Sequence, residues 1–234
     1  MVRICWFIVT LTFAGACACR ASIITFDFTG NDPGMHSPWT TTSTIDPNVT
    51  LMTGFSVGTG LTGNTGDSRF NAKGWTTPGT AALADSITGN DYVYFRIIPN
   101  SGYAINLNSA TISFTLQTSS TGPNSYALMD SINGFTSNSQ LQSGGGIANT
   151  TSSLLYTFGA TGNDNISDSV EFRIYGYDAT SSSGTMSANA FSLGGTVTAV
   201  PEPARYGAIS GVGLLVLCAW RDWRKRRCGE KLKS

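Results

Sequence analysis

The chain of 234 residues has room for one ordinary domain once its two terminal segments are set aside. Its formal net charge of zero hides an uneven distribution: the last 14 residues carry seven basic against two acidic side chains, net +5, whereas residues 21–200 carry four basic against eleven acidic, net −7. An acidic domain repels phosphate backbones, which argues against nucleic acid as a partner, and no cysteine lies between Cys19 and Cys218, which leaves zinc fingers, disulfide frameworks and thiol proteases without their residues.

At the start, Arg3 precedes an apolar run, Ile4 to Phe13, and then the small residues Ala14-Gly15-Ala16-Cys17-Ala18. That order is a secretory signal peptide, expected to span residues 1–21 with cleavage after Ala18 or near Ala21 by signal peptidase during export. The run is too short to span about 30 Å of hydrocarbon. Lipidation at Cys17 or Cys19 is the alternative, with Ala14 and Ala16 standing where such sites prefer leucine.

From residue 22 to 199, short apolar-alternating runs are separated by Gly, Asn, Asp, Ser and Thr, with no amphipathic stretch long enough to propose a helix. Strands are expected at Ile23–Phe28, Val49–Phe55, Tyr92–Ile98, Tyr103–Leu107, Thr111–Leu116, Tyr126–Asp130, Leu154–Phe158, Val170–Tyr177 and Phe191–Thr198. Nine short strands with turns between them predict an all-β sandwich or barrel. The pattern Asp-x-Val-x-Phe-Arg-Ile occurs at Asp91–Ile97 and again at Asp168–Ile174, so two strands of similar role are expected. In each, Val, Phe and Ile face the core and the arginine, Arg96 or Arg173, faces away.

Several constellations within this domain bear on chemistry. Thr-Gly-Asn-Asp occurs at 29–32, 88–91 and 161–164, which makes Asp32, Asp91 and Asp164 candidates for a structural calcium, joined by Asp168 and Asp178; the same residues are what turns prefer. Trp39, Trp75, Tyr92, Tyr94, Tyr175 and Tyr177 are candidates for a glycan platform, because a pyranose stacks its apolar face on such rings; each is equally a packing residue. For Arg96 and Arg173 a cross-strand ion pair is expected. His36 sits in a Pro- and Gly-rich loop without a nucleophile elbow, so no catalytic residue is assigned. A glycosidase acid pair would have to come from the eleven acids, among which Glu171 is the only glutamate.

At the other end, Pro201-Glu202-Pro203 is followed by an apolar segment from about 206 to 220 and a basic tail, 221–234, with Arg221, Arg224, Lys225, Arg226 and Arg227. This order resembles the PEP-CTERM sorting signal of bacterial exported proteins. The resemblance implies recognition by exosortase, a membrane protease-transpeptidase, and an inner-membrane intermediate with its N-terminus out and C-terminus in, released to the cell surface or to an exopolysaccharide matrix. Fifteen helical residues cover only about 22 Å, a marginal span that requires the flanking arginines to snorkel. The strand texture of Asn90–Arg96, Ser119–Pro123 and Phe172–Tyr177 resembles the jelly-roll ectodomains that carry such signals, akin to carbohydrate-binding modules or laminin-G-like domains. Where those often have Asp-Asn before the last strand, this chain has Ala188-Asn189. Three functions stand open: a non-enzymatic surface or matrix protein, a carbohydrate-binding module, and a secreted glycoside hydrolase.

Overall fold

The computed structural model of the protein describes residues 22–77, 82–147 and 149–201. The expected signal peptide, the apolar segment at 206–220 and the basic tail lie outside those residues. Among the described residues no helix is long and apolar enough to cross a membrane.

Among the described residues fourteen strands run in chain order as β1 (Ser22–Phe26), β2 (Thr42–Ile45), β3 (Val49–Val57), β4 (Thr62–Asn64), β5 (Phe70–Lys73), β6 (Tyr92–Pro99), β7 (Tyr103–Asn106), β8 (Thr111–Thr118), β9 (Pro123–Asp130), β10 (Gln142–Gly145), β11 (Ser152–Thr157), β12 (Val170–Ala179), β13 (Thr185–Gly194) and β14 (Thr196–Ala199). One sheet has the order β11-β8-β13-β1-β2, with β5 also beside β13 and β4 beside β5; the other has the order β10-β9-β12-β6-β3. The two face each other as an all-β sandwich. A third, two-stranded sheet, β7 with β14, touches β6 of one large sheet and β1 of the other.

Every expected strand has a counterpart, with one change of outline. The run expected at Phe191–Thr198 is divided at Gly195, whose φ of +142° is a conformation that a side chain would strain. Before Gly195 the chain pairs with β1 and β8, and after it with β7, so the glycine turns the chain from one sheet into another. The strands not expected are β2, β4, β5 and β10. Each has only three or four residues, too few to show a period; β2, β4 and β10 are built largely from Thr, Ser, Gly and Asn, and β5 is Phe-Asn-Ala-Lys, buried at three consecutive positions and so without alternation.

The repeated Asp-x-Val-x-Phe-Arg-Ile segments are direct neighbours. β6 and β12 pair antiparallel with Phe95 opposite Phe172, Val93 opposite Ile174 and Ile97 opposite Val170, a local two-fold arrangement about the phenylalanine pair. Their inner-face side chains are buried, with the Phe95 and Phe172 rings stacked 5.3 Å apart. They join a cluster of eight phenylalanines: Phe26, Phe70, Phe114 and Phe191 from one sheet, Phe55, Phe95 and Phe172 from the other, and Phe28 just after β1. Phe95 and Phe191 meet across the sandwich edge to face at 4.8 Å. Trp75 completes one end, lying over Gly176 of β12, where a Cβ would come within 2.8 Å of the indole.

Among the described residues a single short α-helix, α1 (Leu83–Gly89), sits outside the second sheet. Leu83 and Ile87, four residues apart and so on one face, pack on Ala127, Met129 and Tyr175, and Ser86 Oγ donates to Gly176 O at 2.9 Å. Seven residues are too few to show a helical period in sequence. Asn90, in the left-handed region at φ +59°, ends it.

With its ring fully buried in this cluster, Phe172→Ala is expected to lower unfolding free energy by about 3–5 kcal/mol in a urea titration of the full chain. A loss below about 1 kcal/mol would contradict the inward facing of β12.

Candidate functional site

The aromatic residues singled out in sequence divide into two groups. Trp39 and Trp75 belong to the core side: Trp39 is half-buried and donates its indole N–H to Asp27 O at 2.8 Å, while Trp75 is 1% exposed and donates to Ala72 O at 2.9 Å. Trp75 therefore presents no open face to a sugar. Tyr92, Tyr94, Tyr175 and Tyr177 lie together on the outer face of the β6–β12 sheet, because alternation puts them opposite Val93, Phe95, Ile174 and Gly176.

That outer face is organised around a charge. Glu171, 3% exposed, accepts from Arg96 Nε at 2.9 Å across the strands and from Arg173 Nε at 2.6 Å along its own strand. The Arg173 guanidinium is held between the rings of Tyr92, 4.1 Å away, and Phe135, 3.7 Å away, and also donates to Tyr175 Oη at 3.0 Å. Burial opposes the charge on Arg173, but its hydrogen bonds to Tyr175 and Glu171 outweigh that and raise its pKa. Tyr175 is fully buried beneath this network, so its ring is packing; burial also raises the pKa of Tyr92, Tyr175 and Tyr177. One carboxylate thus engages both arginines that the sequence pattern placed away from the core.

The three candidate calcium acids differ in exposure and each is engaged by its own local partner. Asp32 Oδ1 accepts from Gly66 N at 2.9 Å, Asp91 is buried against the Thr76 hydroxyl, and exposed Asp164 accepts from Asn165 Nδ2 at 3.2 Å. The tetrapeptides place Gly30, Asn90 and Gly162 at positive φ, which is turn chemistry. Among the described residues no three acidic, histidine or cysteine side chains gather into a group able to hold a metal. Of the sorting residues, exposed Pro201 is described; Glu202, Pro203, Arg221, Arg224, Lys225, Arg226 and Arg227 lie outside the described residues. His36 is exposed at the end of a single 3-10 turn, Pro33–His36.

A cleft of about 360 Å³ opens instead where the loop 131–141 meets the edge strand β11. Its walls carry Asn133, Asn138, Gln140 and Asn163, with the Tyr156 and Phe158 rings edge to face at 5.0 Å. Behind Asn133 lies Asp130, fully buried: its Oδ1 accepts from both the backbone and the side-chain nitrogen of Asn133 at 2.9 Å, and its Oδ2 has no partner. Burial raises the Asp130 pKa, and burial followed by the Asp130 charge raises that of Tyr156. Carboxamides offer paired donors and acceptors, and the half-buried Tyr156 ring, backed by buried Phe158, adds a small apolar edge, which suits a neutral, hydroxyl-rich ligand. None of these residues was a candidate ligand in sequence, although Asn163 belongs to the Thr-Gly-Asn-Asp segment at 161–164. Asp130 could have been found, since it shares the inward phase of Tyr126 and Leu128 on β9.

No family model matches the chain, and no curated protein matches it. Among solved structures, one similar chain is a Stig cyclase, Fisc, from Fischerella sp. TAU, in complex with (3Z)-3-(1-methyl-2-pyrrolidinylidene)-3H-indole. The likeness covers 73% of this chain and 98% of that one at 12% identity, with a TM-score of 0.29, and carries no argument about fold or function.

Because the Asp130 pKa is raised on folding, protonation there stabilises the folded state: the benefit is full below the ordinary aspartate value of about 3.9 and is lost as pH rises through the raised value. Asp130→Asn removes the charge and keeps an oxygen for Asn133. It is expected to raise the melting temperature at pH 7, with an advantage that shrinks on acidification and is gone below about pH 3.9. A variant less stable than the parent at pH 7, or a difference independent of pH, would contradict this.

Proposed function

We propose that this chain is a non-enzymatic exported protein of the cell surface or extracellular matrix, whose segment from residue 200 onward is a PEP-CTERM sorting signal cut by an exosortase-type membrane protease. The observation that carries the reading is where the sandwich ends. β14 finishes at Ala199, the Val200 N–H donates to Gly102 O at 2.8 Å, and the next three residues are Pro201-Glu202-Pro203. The first strand begins at Ser22, directly after the expected signal peptide. Cleavage near Val200 would therefore leave every described strand intact. A transient signal also tolerates the short apolar segment, where a permanent anchor gains from a longer one.

The ectodomain reading is a jelly roll, which the strand order supports. β5-β13-β8-β11 in one sheet and β6-β12-β9-β10 in the other have the alternating two-sheet connectivity of that architecture, with β1 to β4 as additions. The amide-lined cleft beside Tyr156 favours a second reading, a carbohydrate-binding module of the cell surface. A glycoside hydrolase has less support: Asp130 and Glu171 are close in register, yet alternation sends the first between the sheets and the second to the outer face.

Mass spectrometry of the mature protein from its native cells tests the reading. The expected result is a C-terminus near Val200 and no peptide from Trp223–Ser234; recovery of that peptide from the surface-exposed form would overturn it. For the second reading, a glycan-array screen is expected to show binding that Tyr156→Ala removes, and binding unchanged by that substitution would reject the cleft.

A further inference from the structure

A second depression, sharing no residue with the amide-lined cleft, runs along another part of the sandwich. Two hollows of about 340 and 120 Å³ have Thr118, Ser119 and Asn149 in common and so form one groove. Arg69 and Gln117 lie in the smaller hollow and Asp178 in the larger.

The two ends of this groove have unmet hydrogen-bonding demands of opposite kind. The two ion pairs found among the described residues both belong to Glu171, with Arg96 and Arg173. Arg69 instead donates from Nη1 to the neutral Gln117 Oε1 at 3.1 Å, an oxygen that also takes Asn189 Nδ2 at 3.3 Å, and its buried Nε has no acceptor. Asp178, held at a φ of +63°, has a buried Oδ1 with no donor. Between them the walls are pinned: Gln117 Nε2 donates to Asn149 O at 3.2 Å, Thr118 Oγ1 donates to Thr185 O at 3.0 Å, and Ser119 Oγ accepts from Thr185 N at 2.9 Å. A groove so fixed is preorganised, so little ordering is needed when a ligand enters.

From this arrangement we infer that the groove binds an acidic saccharide, with a uronate carboxylate on Arg69 and a sugar hydroxyl donating to Asp178. A lone guanidinium matches one carboxylate. A small inorganic anion would use Arg69 alone and leave Asp178 facing it, whereas a saccharide supplies an anionic acceptor at one end and donors at the other. The local positive site also sets the groove apart within a domain of net charge −7. Neither the sorting signal nor the amide-lined cleft is needed for this inference.

Isothermal titration of the full chain in detergent with trigalacturonate and with maltotriose provides the test. Trigalacturonate is expected to bind, less tightly as salt is raised, and maltotriose at least about tenfold more weakly. Arg69→Gln should cost at least about tenfold for trigalacturonate, while Lys73→Gln, which removes an exposed charge outside the groove, leaves affinity unchanged. Should Arg69→Gln fail to fold, as judged by circular dichroism, exposed Asn149→Asp places a repelling carboxylate in the groove and is expected to weaken binding. Absence of trigalacturonate binding, equal affinity for maltotriose, or full affinity in the folded groove variants would overturn the inference.

Discussion

The interlocking of phenylalanine rings between the two large sheets is the contact on which the rest of this domain depends. No cysteine lies within it, so the sheets are held by burial and hydrogen bonds. Eight rings in edge-to-face and stacked contact, from Phe26–Phe55 at 5.2 Å to Phe55–Phe70 at 4.9 Å, supply both area and geometry. The small β7–β14 sheet and the Trp75 indole then close the ends of that core, each made possible by a glycine, Gly195 and Gly176.

With the interior so arranged, the outer face of the β6–β12 sheet has a different task. Glu171 is brought out of water with Arg96 and Arg173 around it, and Arg173 is capped by Tyr92 and Phe135. The carboxylate is buried while the Arg96 side chain stays 42% exposed, so the cluster constrains geometry more than it adds stability. Of the four tyrosines on this face, Tyr92 and Tyr175 are thereby drawn into packing around Arg173, Tyr175 completely, while Tyr94 and Tyr177 stay half-buried. The polar hollows lie elsewhere, beside the edge strand β11 and along the Thr118–Ser119 segment, where loops and strand ends leave amides and hydroxyls unoccupied by the core.

The strands that carry hydrophobic alternation were legible in sequence, as was the similar role of the two Asp-x-Val-x-Phe-Arg-Ile segments, because burial on one face leaves a two-residue period; that the two pair with each other was not. The short strands β2, β4, β5 and β10 were not legible: Thr, Gly, Ser and Asn recruited into β2, β4 and β10 look like loop, and β5, paired on both sides, is buried at three residues in a row and shows no alternation. Glu171 was invisible as a shared partner: its position opposite Arg96 is a matter of register, which alternation along a single strand does not set. The clefts escaped notice for a related reason. Asn133 and Asn163 meet only after the sheets have closed; nothing local marks Asn133, and the Thr-Gly-Asn-Asp segment around Asn163 reads as a turn.

The central claim, that ring contacts across the sandwich couple the two sheets, is tested most directly by a double-mutant cycle on Phe95 and Phe191, each changed to Leu singly and together. Their edge-to-face contact at 4.8 Å predicts a coupling of about 0.5–1.5 kcal/mol in urea unfolding. Single-mutant losses that add to within about 0.3 kcal/mol would contradict it.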